Sequence, residues 1–146
     1  MVSTVGELAD YLVARGIATP QTLVGCTPDE VAEVRVAQRV DALPEQYEQF
    51  LLRMGRKTGD LMRGTDLRYP KVVELADEMH ELVEELGWGS FIVPGSTMVA
   101  MHGGYQLYWV EPGGAAHLAE EMKENPVRSW PSLVDCLVFE ADMQRK

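Results

Sequence analysis

An α+β fold is expected for this chain, and three observations predict it. Apolar residues recur at helical spacing through the first 86 or so positions. From Phe91 onward, short runs of β-forming residues alternate with Pro-Gly and Gly-Gly breaks. A capped helical segment then closes the chain. Helices first, strands next and a final helix predict an antiparallel sheet of about four to five strands, with helices packed mainly on one face.

The first helix is expected from about Thr4 to Arg15, with Val5, Leu8, Ala9, Leu12 and Val13 on one face and Gly16 as the stop. A second begins at Thr27-Pro28-Asp29-Glu30. Thr27 can cap, Pro28 suits the first helical position and Glu30 completes a capping box. Val31 and Val34 face inward, and the helix should end near Val40. Leu43-Pro44-Glu45 opens a third, with Tyr47, Phe50, Leu51 and Met54 on one stripe and Gly55 at its end. Arg56 to Tyr69 contains the turn points Gly59-Asp60, Gly64 and Asp66 and reads as a loop. Pro70 to Leu86 reads as the longest helix, with Val72, Ala76, Met79, Val83 and Leu86 inward and Gly87 as its stop.

Strands are expected at Phe91-Ile92-Val93, Met98 to His102 and Tyr105 to Val110, with Gly103-Gly104 as a tight hairpin turn. Ala115 to Glu120 and Val127-Arg128 are expected to add two more. Tyr105, Leu107 and Trp109 alternate with Tyr108 and Val110, which predicts a strand covered on both sides. Ser132, with Asp135 three residues on, caps a last helix carrying Leu133, Cys136, Leu137 and Glu140.

Composition narrows the function. A chain of 146 residues, 46% hydrophobic, is the size of one domain and can bury a core. Asp and Glu number 23 against 13 Lys and Arg, a net charge of −10, which repels nucleic acid and anionic membranes and attracts basic partners. Glu7 and Asp10 interrupt the early apolar residues, so no signal peptide is expected, and no apolar run approaches the roughly 20 residues of a membrane span. Cys26 and Cys136 have neither metal-ligand nor CxxC spacing. A cytoplasmic location follows as the expectation.

Several motifs together resemble the SMI1/KNR4 (SUKH) family. They are Gly25-Cys26-Thr27-Pro28-Asp29-Glu30-Val31, Leu43-Pro44-Glu45-Gln46-Tyr47-Glu48-Gln49-Phe50-Leu51 and Met54-Gly55-Arg56. Gly59-Asp60-Leu61-Met62-Arg63-Gly64, Met101-His102-Gly103-Gly104-Tyr105-Gln106 and Pro131-Ser132-Leu133 continue the likeness. It runs from about residue 25 to the end of a single domain spanning 1–146, with 1–24 an N-terminal helix and linker. The resemblance implies an α+β protein-binding domain without shared catalytic residues. Many bacterial members look like immunity proteins that block a cognate toxin. Many members have an Asn-Gly-Gly turn where this chain has Met54-Gly55-Arg56, which fits a bacterial subgroup better than the fungal proteins.

Candidate sites remain to be weighed. Glu74, Asp77, Glu78, Glu81, Glu84 and Glu85 lie on the outer side of the long helix. The pairs 74/78, 77/81 and 81/85 put like charges one turn apart, each unfavourable by roughly 0.2–0.5 kcal/mol. This is either a solvated face or a contact ridge for a basic partner, such as a nuclease toxin domain. Trp88, between two glycines, reads as an exposed aromatic anchor. His102 and Tyr105 at the glycine hairpin are a second candidate contact. From Arg53 to Lys71 six basic residues face two acidic ones, and pairing with the acidic helix is their expected role.

The competing expectation is a small hydrolase or metal-dependent enzyme using His80 or His102. His80-Glu81-Leu82-Val83-Glu84 falls one residue short of HExxH, and a zinc enzyme needs a third protein ligand that the sequence does not nominate. No cofactor, metal, membrane contact or direct nucleic-acid contact is expected. His117 carries no clear signal, and Cys26 reads as a buried packing residue.

Overall fold

A computed structural model describes residues 1–144. Among these residues the fold is α+β, with six α-helices, a two-stranded sheet and a four-stranded antiparallel sheet. Helix α1 spans Val5–Ala14. Thr4 accepts the Glu7 N–H and the Glu7 carboxylate accepts the Thr4 N–H, a capping box that satisfies two otherwise orphan donors. Helix α2, Pro28–Ala37, starts on the expected Thr27–Glu30 box. It stops three residues short of Val40. Arg39 turns left-handed there (φ 61°), and Gln38 is buried with its Oε1 accepting the Met98 N–H at 2.7 Å.

Helix α3 runs Glu45–Met54 and buries Tyr47, Phe50, Leu51 and Met54, the stripe its spacing predicts. The Gly25-Cys26 motif docks directly onto it. A Cβ at Gly25 would lie 1.8 Å from the Leu52 carbonyl oxygen, and the Cys26 N–H donates to Leu51 O at 2.7 Å. Glycine is required because backbone meets backbone at this point. Burial, and secondarily Glu30, pushes the Cys26 thiol up to about 11, which suits packing and not nucleophilic chemistry.

The segment expected to be a loop holds a short strand. Leu23–Val24 (β1) pairs antiparallel with Lys57–Thr58 (β2). Two-residue strands have no period to read. Nor do the bases of this segment pair with the acidic helix. Arg56 bonds Glu30 of α2, Arg63 bonds Asp60, and half-buried Arg68 donates to Thr58 Oγ1 and to the carbonyls of Leu61 and Thr65.

The bond from Arg56, followed by the Thr27 N–H, holds the Glu30 carboxyl down at about 2. A group depressed on folding adds stability above its unfolded value that is lost as pH falls through the folded one. Glu30 should therefore stay ionised in a carbon-detected NMR titration from pH 5 to below pH 3. Arg56→Ala should return its midpoint toward the ordinary carboxylate range; an unmoved midpoint would refute the pairing.

The expected long helix is broken. Helix α4, Lys71–Glu74, and helix α5, Ala76–Glu85, meet at Leu75 (φ −95°, ψ 0°). Val72, Ala76 and Met79 keep helical spacing across the break and stay buried, which is why the pattern reads as one helix. After Gly87 (φ 69°) the chain makes a 3-10 turn at Trp88–Ser90 in place of the expected strand at Phe91–Val93. Trp88 O accepts both the Phe91 and Ile92 N–H groups at 3.1 Å, so those donors are spent locally and not in a ladder.

Strands β3 (Thr97–His102), β4 (Gln106–Val110), β5 (Ala116–Glu120) and β6 (Arg128–Trp130) form a meander in the order β3-β4-β5-β6. A bulge lies between Met98 and Ala100. Helix α6, Leu133–Gln144, follows a Ser132–Asp135 cap. Strand β4 is covered on both sides, as its alternation predicts. Tyr108 stacks on Trp130, which meets Phe139 of α6, while the Tyr108 hydroxyl donates to Glu140. Trp109, on the other face, packs against Phe91 and His117. One cluster of buried side chains runs from Val5 to Ala141.

Candidate functional site

Glu74, Glu78, Glu81 and Glu85 are all exposed, Glu74 on α4 and the other three on α5. Asp77 pairs with Arg39 at 2.9 Å; none of the other acidic side chains of α4 and α5 forms an ion pair among the described residues. Glu84 and Glu85 occupy the last turn of α5, where the helix dipole is already negative. The result is a local field that favours a cation.

Trp88 is not an exposed anchor. Only 1% of it meets solvent. Its ring begins a row that continues through Phe91 and Trp109 to His117, with centroid separations of 6.5, 5.8 and 5.1 Å. A tryptophan followed by Gly-Ser looks like a loop residue in sequence, but the left-handed Gly87 turns it back onto the sheet.

His102 and Tyr105 come together at the hairpin tip. Gly103 and Gly104 take positive φ, and a Cβ on Gly103 would meet the Tyr105 ring at 2.6 Å. That ring folds back edge-on to His102 at 5.6 Å, while His102 Nδ1 lies 3.1 Å from Thr65 Oγ1. Tyr105 is thus a turn residue, 43% exposed, and not the first residue of β4.

Met122 connects the two candidate surfaces, and sequence reading overlooked it. It occupies the β5–β6 turn with φ 72° and is 91% exposed. The neighbouring Glu121 N–H donates to Tyr105 O at 2.8 Å. On its other side Met122 shares a hollow of about 600 Å³ with Glu85, Leu86, Trp88 and Phe91. The acidic helix end and the glycine hairpin thus each approach the β5–β6 turn. A lone apolar residue inside the charged run Glu120-Glu121-Met122-Lys123-Glu124 was the available signal.

His80 Nδ1 donates to Ala76 O at 2.8 Å, which orients the ring within its own helix. Among the described residues no three His, Cys, Asp or Glu side chains are grouped to hold a metal. His117 is the best connected, with Nε2 at 2.8 Å from Glu111 Oε1 and Nδ1 at 2.6 Å from Ser129 Oγ. One tautomer satisfies both contacts, with Nε2–H donating to the carboxylate and Ser129 donating to Nδ1. The order acid, imidazole, hydroxyl is that of a nucleophile relay. Ser129, however, is exposed on a three-residue edge strand, where water competes for the bonds a reacting carbonyl needs. The set acts as a clamp between β6 and the β4–β5 turn. His117→Ala should lower stability by about 1 kcal/mol, the usual worth of such bonds, measured by urea denaturation; an unchanged midpoint would remove the clamp.

No helix among the described residues is long and apolar enough to cross a membrane. No family model, curated protein or solved structure matches the chain.

Proposed function

We propose that this chain is a protein-binding domain of the SMI1/KNR4 type, an immunity-like protein that works in the cytoplasm by covering the basic face of a cognate toxin. The observation that carries the reading is the exposed acidic face of α5. Its like charges stand one turn apart at 77/81 and 81/85, and only Asp77 has an ionic partner among the described residues. A local rule broken without local gain favours a functional surface over a merely solvated one. A nuclease or other nucleic-acid-directed toxin carries basic side chains to hold phosphates, and an acidic inhibitor can occupy them. The ordered motifs from Gly25 to Leu133 support the same family reading.

The test is affinity capture with the purified chain, identification of the retained protein, and co-expression of the two. A basic protein whose toxicity is relieved by the chain, in a complex weakened by salt, is the expected result. Retention of acidic proteins only, or toxicity unrelieved by co-expression, would count against it.

A further inference from the structure

The hollow at the end of α5 has the features of a seat for one apolar side chain on a basic segment. Leu86, Phe91 and Met122 line it with Glu85, Lys123 and Glu124, and the buried Trp88 lies at its base. At about 600 Å³ it has room for such a side chain together with part of the segment that carries it. Gly87 ends α5 at this point, so the negative end of the helix dipole and the carboxylate of Glu85 stand beside the hollow. Met122 holds a left-handed backbone that a side-chain-bearing residue adopts only at a cost, and it is 91% exposed. Methionine is the side chain best able to reshape itself around an incoming apolar group.

These facts select the occupant by chemistry. A hollow that offers Leu86, Phe91 and Met122 to an apolar group, beside one lysine and the two carboxylates of Glu85 and Glu124, repels an acidic segment and leaves those three side chains uncovered by a purely polar one. We propose that the hollow receives a leucine- or phenylalanine-sized side chain from a partner protein segment with arginine or lysine on either side, the bases meeting Glu85 and the α5 terminus. The apolar residue sets the lifetime of the complex and the bases set its formation rate.

This inference rests on the protein-binding reading, and the two can fail separately. The experiment uses methyl NMR on the whole chain with three short amidated peptides. One carries a central leucine among arginines and lysines, one has serine in place of that leucine, and one has the bases replaced by glutamate. The leucine peptide should shift the Met122 methyl saturably, bind at least about tenfold more tightly than the serine peptide and lose that advantage in Met122→Ser. The glutamate peptide should not bind. Glu78→Lys with Glu81→Lys, placed away from the hollow, should flatten the salt dependence of both basic peptides and preserve the leucine-over-serine ratio. Equal affinities for the leucine and serine peptides, or shifts that bypass Met122, would overturn the proposal. So would a Met122 shift that follows protein concentration without peptide, since the occupant would then be a second copy of the chain. If the leucine-over-serine ratio persists but salt dependence is unaltered by the Glu78 and Glu81 changes, the ridge reading fails and the hollow stands.

Discussion

Trp88→Ala should lower folding stability by roughly 3–5 kcal/mol, the cost of truncating a large buried aromatic. That is a large part of the roughly 5–15 kcal/mol that holds a domain folded. The indole is 1% exposed and begins the ring row that runs through Phe91 to Trp109 on β4. Its loss should leave a void beneath the Met122 hollow. Phe50→Ala should cost about as much, because Phe50 is 0% exposed and stacked on Tyr47. Tyr47→Phe is the control. The Tyr47 hydroxyl is buried without a protein partner, so its removal should be neutral or stabilising. Guanidinium denaturation of the three variants checks the set. A Trp88→Ala protein with the parent midpoint would place the indole at the surface and return it to the list of contact residues.

Reversing Glu78, Glu81 and Glu85 to lysine together should slow association with a basic partner by tenfold or more at low salt, within the roughly 10–10³ range of electrostatic steering. Three reversals change the net charge from −10 to −4. All three side chains are exposed on α5 and lack ionic partners among the described residues, so the fold should remain intact. The spacing 78/81/85 also loses no favourable pair, since its neighbours are like charges. Stopped-flow association across a salt series separates the outcomes. A slower on-rate with a flatter salt slope is expected. Equal rates at every salt concentration would leave α5 as a solubility face and shift attention to His102 and Tyr105.

These two expectations depend on different kinds of information. The acidic ridge was legible in sequence because charge at helical spacing needs only the helix to exist. Glu78, Glu81 and Glu85 point outward wherever Met79 points inward. The helix starts were legible for the same local reason. Thr27-Pro28-Asp29-Glu30 contains every atom of its own capping box, and the Tyr47, Phe50, Leu51, Met54 stripe defines its own buried face. The strands β3 to β5 were marked by β-formers between glycine turns, and their meander follows from short connections.

Other features were decided only when distant segments met. Leu75 breaks a continuous apolar pattern, and both resulting helices keep that pattern, so composition alone does not show the break. Leu23–Val24 becomes a strand only because Lys57–Thr58 lies beside it. Arg56 turns to Glu30 of α2, twenty-six residues back in the chain, and not to the acidic helix it was expected to neutralise. His117 acquires Ser129 through the pairing of β5 with β6, and Glu111 across the β4–β5 hairpin. Above all, Trp88 takes the opposite role to the one its sequence context suggests. A residue between glycines is buried by the turn those glycines permit, and a methionine in a charged run is exposed beside it. Local sequence sets spacing, caps and charge, because those interactions close within a turn or two. Which side chain a surface finally presents depends on what packs behind it, and that is settled by contacts between residues far apart in the chain.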